Sequence, residues 1–277
     1  MFNFWVWLFK KREEPFEIAF LNGFHILYFA IAIGAAIALA YYLKSHSEKK
    51  NAALRFLAYS LVFLYIADFF VQPFISMEAT TSPDFNYSDF QMNIDKLPFH
   101  ICTALCPIVA FTQFNERFEK FKEPVALLAI VAPLMYLVYP GNALGEISPF
   151  CYKIIQTFIY HGVLFSWGLN TLASGEFVPN IKNCYKSLIG ICIIAAWATL
   201  GNFAYNTSYA GGDGNHHYDW FFLTGSSFSM PPYIMPFAVI AIFFSVVLAV
   251  YGLYYAYIAI MAKRESKKAI KDTVTAD

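Results

Sequence analysis

Seven long apolar stretches punctuate this chain, and its lysines and arginines collect on every second connection between them. In hydrocarbon a backbone must satisfy its own hydrogen bonds, so stretches of this length read as helices that cross a membrane. They cover residues 19–43, 53–77, 98–115, 125–139, 154–172, 187–205 and 232–262. A bilayer core takes about 20 helical residues to cross, and most of the stretches approach that length. The fourth is short and needs residues 110–118 packed beside it, or a thin, water-lined neighbourhood.

The charges give the orientation. Alternate connections, together with the C-terminal tail, carry 14 of the 19 Lys and Arg residues; the other set carries 5. Positively charged loops stay cytoplasmic. The expectation is therefore an all-α, polytopic, seven-transmembrane-helix bundle with the N-terminus outside and the C-terminus inside. The trio Lys10, Lys11 and Arg12 runs against this bias. Residues 1–18 read as an interfacial segment with Trp5, Trp7 and Phe9 in the headgroup layer. Residues 19–262 form the transmembrane domain, and 263–277 a basic cytoplasmic tail of a multi-pass protein of the cell membrane.

Composition narrows the function classes. The chain is 58% apolar and 14% charged with zero net charge, which excludes nucleic acid and leaves no room for a soluble catalytic module. Lipids are the expected partners; no cofactor is implied, and nothing in the sequence sets an oligomeric state. Five cysteines without regular spacing do not make a disulfide framework.

Ionisable residues within spans are costly, so each is a functional candidate. The expected topology places His25, Asp68, His100, Cys102, Gln156, His161 and Asn202 roughly 3–14 Å below the outer boundary. Five helices thus bring polar groups to one layer, while the inner halves read as almost wholly apolar. A shared site or cavity is expected there, the alternative being separate helix-to-helix hydrogen bonds. The run LPFHICTALCP, residues 97–107, carries the most chemistry. Pro98 suits a first helical turn, and Cys106 follows Cys102 by one turn on the same face. His100 lies on another face, so a base from elsewhere, such as His161, is better placed to activate Cys102. Residues 206–232 form a long outer connection without Lys or Arg. Asp213, His216, His217 and Asp219 lie in it, but adjacent histidines on a loop match no metal-site spacing, and no metal is expected. Its aromatics suit a lid on the membrane surface.

Several motifs follow one another in order: GFHILYF, LPFHICTAL, YLVYPGNAL, FIYHGVLF, and NFAYNTSY leading to SMPPYIMP. Over roughly residues 20–255 they resemble the YwaF family of bacterial integral membrane proteins, related to the eukaryotic transmembrane protein 164. The resemblance implies seven helices. It also implies acyl transfer between phospholipids through a cysteine acyl-enzyme, the activity described for the eukaryotic relative. Residue by residue, the family histidine and cysteine match His100 and Cys102, the helix-5 histidine matches His161, and the Asn-Tyr pattern matches Asn202 and Tyr205. Where the family usually carries a charged residue after the cysteine, this chain has Thr103.

The functional expectation is a membrane-embedded lipid-modifying enzyme, an acyltransferase with its site in the outer half of the membrane. Cys102 is the nucleophile and His161 or His100 the general base. Asn202 and Gln156 are oxyanion donors, with His25, Asp68 and Tyr205 lining the substrate site. The alternatives are a transporter or lipid-binding protein using the same polar layer, or a membrane scaffold.

Overall fold

The computed structural model describes residues 18–76, 97–141, 148–206, 219–223, 231 and 233–274, the side chains of 70–76 and 267–274 excepted. Seven α-helices stand among them: α1 (Gly23–Ser45), α2 (Lys50–Ser76), α3 (Ile101–Phe114), α4 (Lys122–Val138), α5 (Tyr152–Ala173), α6 (Cys184–Asn206) and α7 (Met235–Val274). Most of the expected interfacial segment and of the 206–232 connection, with Asp213, His216 and His217, lies outside the described residues.

Among the described residues, five helical segments are long and apolar enough to cross a membrane. They are α1, α2, α6, α7, and α4 taken with the 3-10 turn that leads into it, Glu116–Val138. That turn resolves the short fourth stretch, since the chain stays helical from Glu116 and gains the missing length. Ile31, Phe63, Leu200, Phe237 and Leu253 are exposed on the outside of the bundle. A rim this apolar suits lipid and not water.

The other two helices depart from the hydropathy criterion for different reasons. Helix α3 has only 14 residues, about 21 Å of rise, because residues 97–100 turn instead of joining it. Helix α5 has 22 residues but is too polar, and twelve of them are buried, among them Gln156, Ser166, Asn170 and Thr171. It packs against α1, α2 and α4 and touches α3, while α4 packs against α3, α5, α6 and α7. A helix surrounded by helices meets little lipid, so its polar groups bond to its neighbours. Asn170 donates through Nδ2 to the Ala36 carbonyl on α1, 3.2 Å away.

Small residues set the spacing of this central pair. A Cβ on Gly168 would meet the Ala126 oxygen at 2.7 Å and Ala129 C and Ile130 N at 2.9 Å. Those are backbone atoms of α4, so α4 and α5 touch main chain to main chain. Gly162 lets α5 approach α1 closely as well, since a Cβ there would stand 3.2 Å from the Ala32 Cβ. Such close approach replaces the hydrophobic driving force that lipid does not provide between helices.

The end of the bundle bearing residues 45–50, 115–122 and 174–183 carries a polar network at the margin of the apolar stretches. Glu123, buried in the first turn of α4, accepts from the Asn180 N–H at 2.8 Å, Asn183 Nδ2 at 2.7 Å and the Tyr251 hydroxyl at 2.9 Å. Beside it Lys122 donates to Glu176 at 2.8 Å, and Lys50 pairs with the same carboxylate at 3.1 Å. Apart from Tyr251, which lies within the last apolar stretch, these residues sit at helix starts and in a connection, so hydropathy passes over them.

Candidate functional site

The start of α3 is built by its own sequence. The Phe99 N–H bonds to the Leu97 carbonyl at 2.7 Å, and His100 takes the extended N-cap conformation, φ −74° and ψ 149°. Thr103 donates its hydroxyl back to Leu97 and His100 carbonyls, at 3.2 and 3.0 Å. The position that carries a charge in the resembled family therefore serves here as a local brace. The His100 side chain makes no cap hydrogen bond to the helix, and the first-turn N–H groups of α3 have no carbonyl partner within the helix.

Cys102 is buried in that first turn and Cys106 one turn later; both are free thiols. The Tyr160 hydroxyl, on α5, donates to the Cys102 carbonyl at 2.9 Å. It also lies within hydrogen-bonding reach of the Cys106 sulfur. The next residue along α5 is His161. Its Nδ1 donates to the Thr157 carbonyl at 2.8 Å, which assigns the ring proton to Nδ1 and makes Nε2 the nitrogen able to accept one. The imidazole stacks on Tyr136 of α4, ring centroids 3.9 Å apart and planes 12° off parallel, with the Tyr160 ring edge-on at 5.5 Å. Tyr160 thus touches both candidates, the Cys102 carbonyl through its hydroxyl and the His161 ring through its own ring.

The remaining sequence-derived candidates find other surroundings. Buried His25 accepts at Nδ1 from the Leu21 N–H (3.0 Å) and donates from Nε2 to the Leu137 carbonyl (2.9 Å). Asn202 grips one residue by both backbone groups: its Oδ1 accepts from the Trp220 N–H at 2.8 Å, and its Nδ2 donates to the Trp220 carbonyl at 3.1 Å. His100 accepts at Nδ1 from the Phe221 N–H at 3.2 Å. Tyr205 meets Trp220 edge-on, centroids 5.4 Å apart. Asp68 is buried near Tyr152. Gln156 is buried one turn before Tyr160 and on the same face of α5.

Two of these residues share a task that sequence reasoning missed. Leu21, Phe221 and Phe222 all have left-handed backbone, with φ 59°, 62° and 57°. Bulky side chains are costly there, and the N–H groups of Leu21 and Phe221 are each held by a histidine Nδ1. His25 and His100 thus accept from turns that glycine would ordinarily make. The segment 219–223 is further packed by aromatics: Phe99 lies 4.8 Å from Trp220 and 5.1 Å from Trp197, whose indole N–H bonds to the Pro98 carbonyl at 2.8 Å. Sequence reasoning also missed Tyr136 and Tyr160, which no periodicity sets apart from core tyrosines. The one available signal was the adjacency of Tyr160 to His161.

The model of the TMEM164 family matches residues 20–257, a span that contains every candidate residue named above. No curated protein and no solved structure matches the chain.

Proposed function

The chain belongs to the TMEM164 family, and from that premise we propose that it is a membrane-embedded, lipid-modifying acyltransferase working through an acyl-enzyme on Cys102. We also propose that it crosses the membrane seven times with its C-terminus inside, which places Cys102 in the outer half. The observation that carries the reading is the setting of Cys102. A buried thiol stands in the first turn of α3, and its carbonyl is bound by Tyr160, the sequence neighbour of the His161 that stacks on Tyr136.

In the proposed reaction the Cys102 thiol passes its proton to His161 Nε2 as the sulfur attacks the ester carbonyl of a phospholipid. Charge develops on the carbonyl oxygen. First-turn N–H groups of α3 and the Gln156 amide are the donors suited to it. The Asn202 amide is spent on Trp220, so Asn202 supports the site through the 219–223 segment. The carbon–oxygen bond to glycerol then breaks, the glycerol oxygen takes the proton from His161, and a lysophospholipid leaves behind a Cys102 thioester. An acceptor hydroxyl attacks that thioester and gives its proton to His161, which returns it to the Cys102 sulfur. Depth suits the chemistry, because phospholipid esters lie near the outer boundary of the hydrocarbon.

Purified protein incubated with phospholipid should gain the mass of an acyl chain on Cys102. Cys102→Ser should lose the adduct and most of the transfer, and Cys192→Ser, on an exposed position, should keep both. His161→Ala should slow transfer by about 10²–10⁴-fold. Full transfer by Cys102→Ser without any cysteine adduct would remove the enzyme and leave a lipid-binding or transport protein.

A further inference from the structure

Tyr160 is 5% exposed, and phenylalanine would fill its place with the same ring and no buried hydroxyl. A buried hydroxyl must find a partner, and this one finds the Cys102 carbonyl at 2.9 Å. That carbonyl lies within α3, where the helix already offers it a partner four residues on. The bond is therefore not needed to satisfy the backbone of α3. What it does is tie the first turn of α3 to α5 at one point.

The tie falls beside His161. Successive helical residues are about 100° apart around the axis, so Tyr160 faces α3 while its neighbour His161 turns toward Tyr136 on α4. His161 is held twice, by the Thr157 carbonyl at 2.8 Å and by the Tyr136 ring at 3.9 Å. Its position on α5 is thus set, and the position of Cys102 relative to α5 is set by Tyr160. Resting on the acyl-enzyme reading, we infer that Tyr160 is a positioning residue: its hydroxyl docks the first turn of α3 on α5 and so sets where the Cys102 thiol stands relative to His161.

The test uses the full chain in phosphatidylcholine vesicles, with Tyr160→Phe, His161→Ala and the double variant. Two signals are read: acyl transfer, and the infrared S–H stretch of Cys102, identified by its loss in Cys102→Ser. Tyr160→Phe should lower kcat by up to about 10²-fold, the effect of a misplacement near 1 Å, with little change in KM. It should shift the S–H band as His161→Ala does, and in the double variant neither signal should move beyond His161→Ala alone. Tyr160→His, which keeps a ring with an N–H donor, should recover part of the rate. If Tyr160→Phe does not fold, Tyr160→His is carried through the same cycle, with a rate between wild type and His161→Ala expected. An unmoved S–H band, or losses that multiply in the double variant, overturns the inference. A band shifted in Tyr160→Phe, with a wild type that transfers no acyl group, would instead keep the tie and remove the enzyme reading.

Discussion

One missing methyl decides how closely the two central helices approach. At Gly168 an added Cβ would meet three backbone atoms of α4 at 2.7–2.9 Å, and backbone cannot swing aside as a side chain does. Gly168→Ala should therefore destabilise by about 1–3 kcal/mol, the range for overpacking a filled interior, although alanine is the better helix former. Thermal unfolding in detergent measures it. Gly34, where a Cβ would meet nothing within 4 Å, is the control, and Gly34→Ala should be neutral or slightly stabilising. Equal losses at both positions would mean that helix packing is not what Gly168 serves. The residue scale is also where sequence reading stops. Depth and motif brought His25, His100 and Asn202 to notice, but their partners are backbone groups of Leu21, Leu137, Trp220 and Phe221. Nothing in a sequence marks a left-handed turn that uses leucine or phenylalanine in place of glycine.

At the scale of elements, hydropathy reads what faces lipid and is silent about what faces other helices. Helices α1, α2, α6 and α7 were legible as apolar stretches because their outer faces meet hydrocarbon. Helix α4 extended beyond its stretch because Lys122 and Glu123, charged in sequence, are held by Glu176, Asn180, Asn183 and Tyr251. That network joins α2, α4, α7 and the α5–α6 connection, and it should show in the pH dependence of stability. Burial alone would raise the Glu176 carboxyl, but hydrogen bonds and charge from Lys122 and Lys50 outweigh it and hold the group below its ordinary value. A depressed folded value means the contribution is whole above the unfolded glutamate value of about 4.3. It shrinks as pH falls below that and is gone once pH passes the lower folded value. Between pH 7 and 3 the wild type should therefore lose more of its thermal stability than Glu176→Gln, the two curves converging in acid. Parallel curves across that interval would show that the carboxylate does not carry the link.

For the whole molecule the open quantity is the number of crossings. Five segments qualify by length and composition, whereas seven helices stand among the described residues. An even number of additional crossings preserves the sidedness of the two termini, so their relation alone cannot separate five from seven. Loops between the helices can. If α3 and α5 both cross, residues 115–121 and 174–183 lie on the same side as 45–50, which is what the shared network of Lys50, Lys122 and Glu176 requires. The proposed orientation assigns that side to the cytoplasm, because it holds the 14 Lys and Arg of the basic set. A reporter fused after Asp277, and single cysteines at Arg117 and Lys182 in a background without native cysteines, should be protected from a membrane-impermeant reagent in intact cells. A tag within residues 206–232 should be reached by it. Labelling of Arg117→Cys from outside would end the seven-crossing bundle, and with it the proposed placement of Cys102 beside the esters of the outer leaflet.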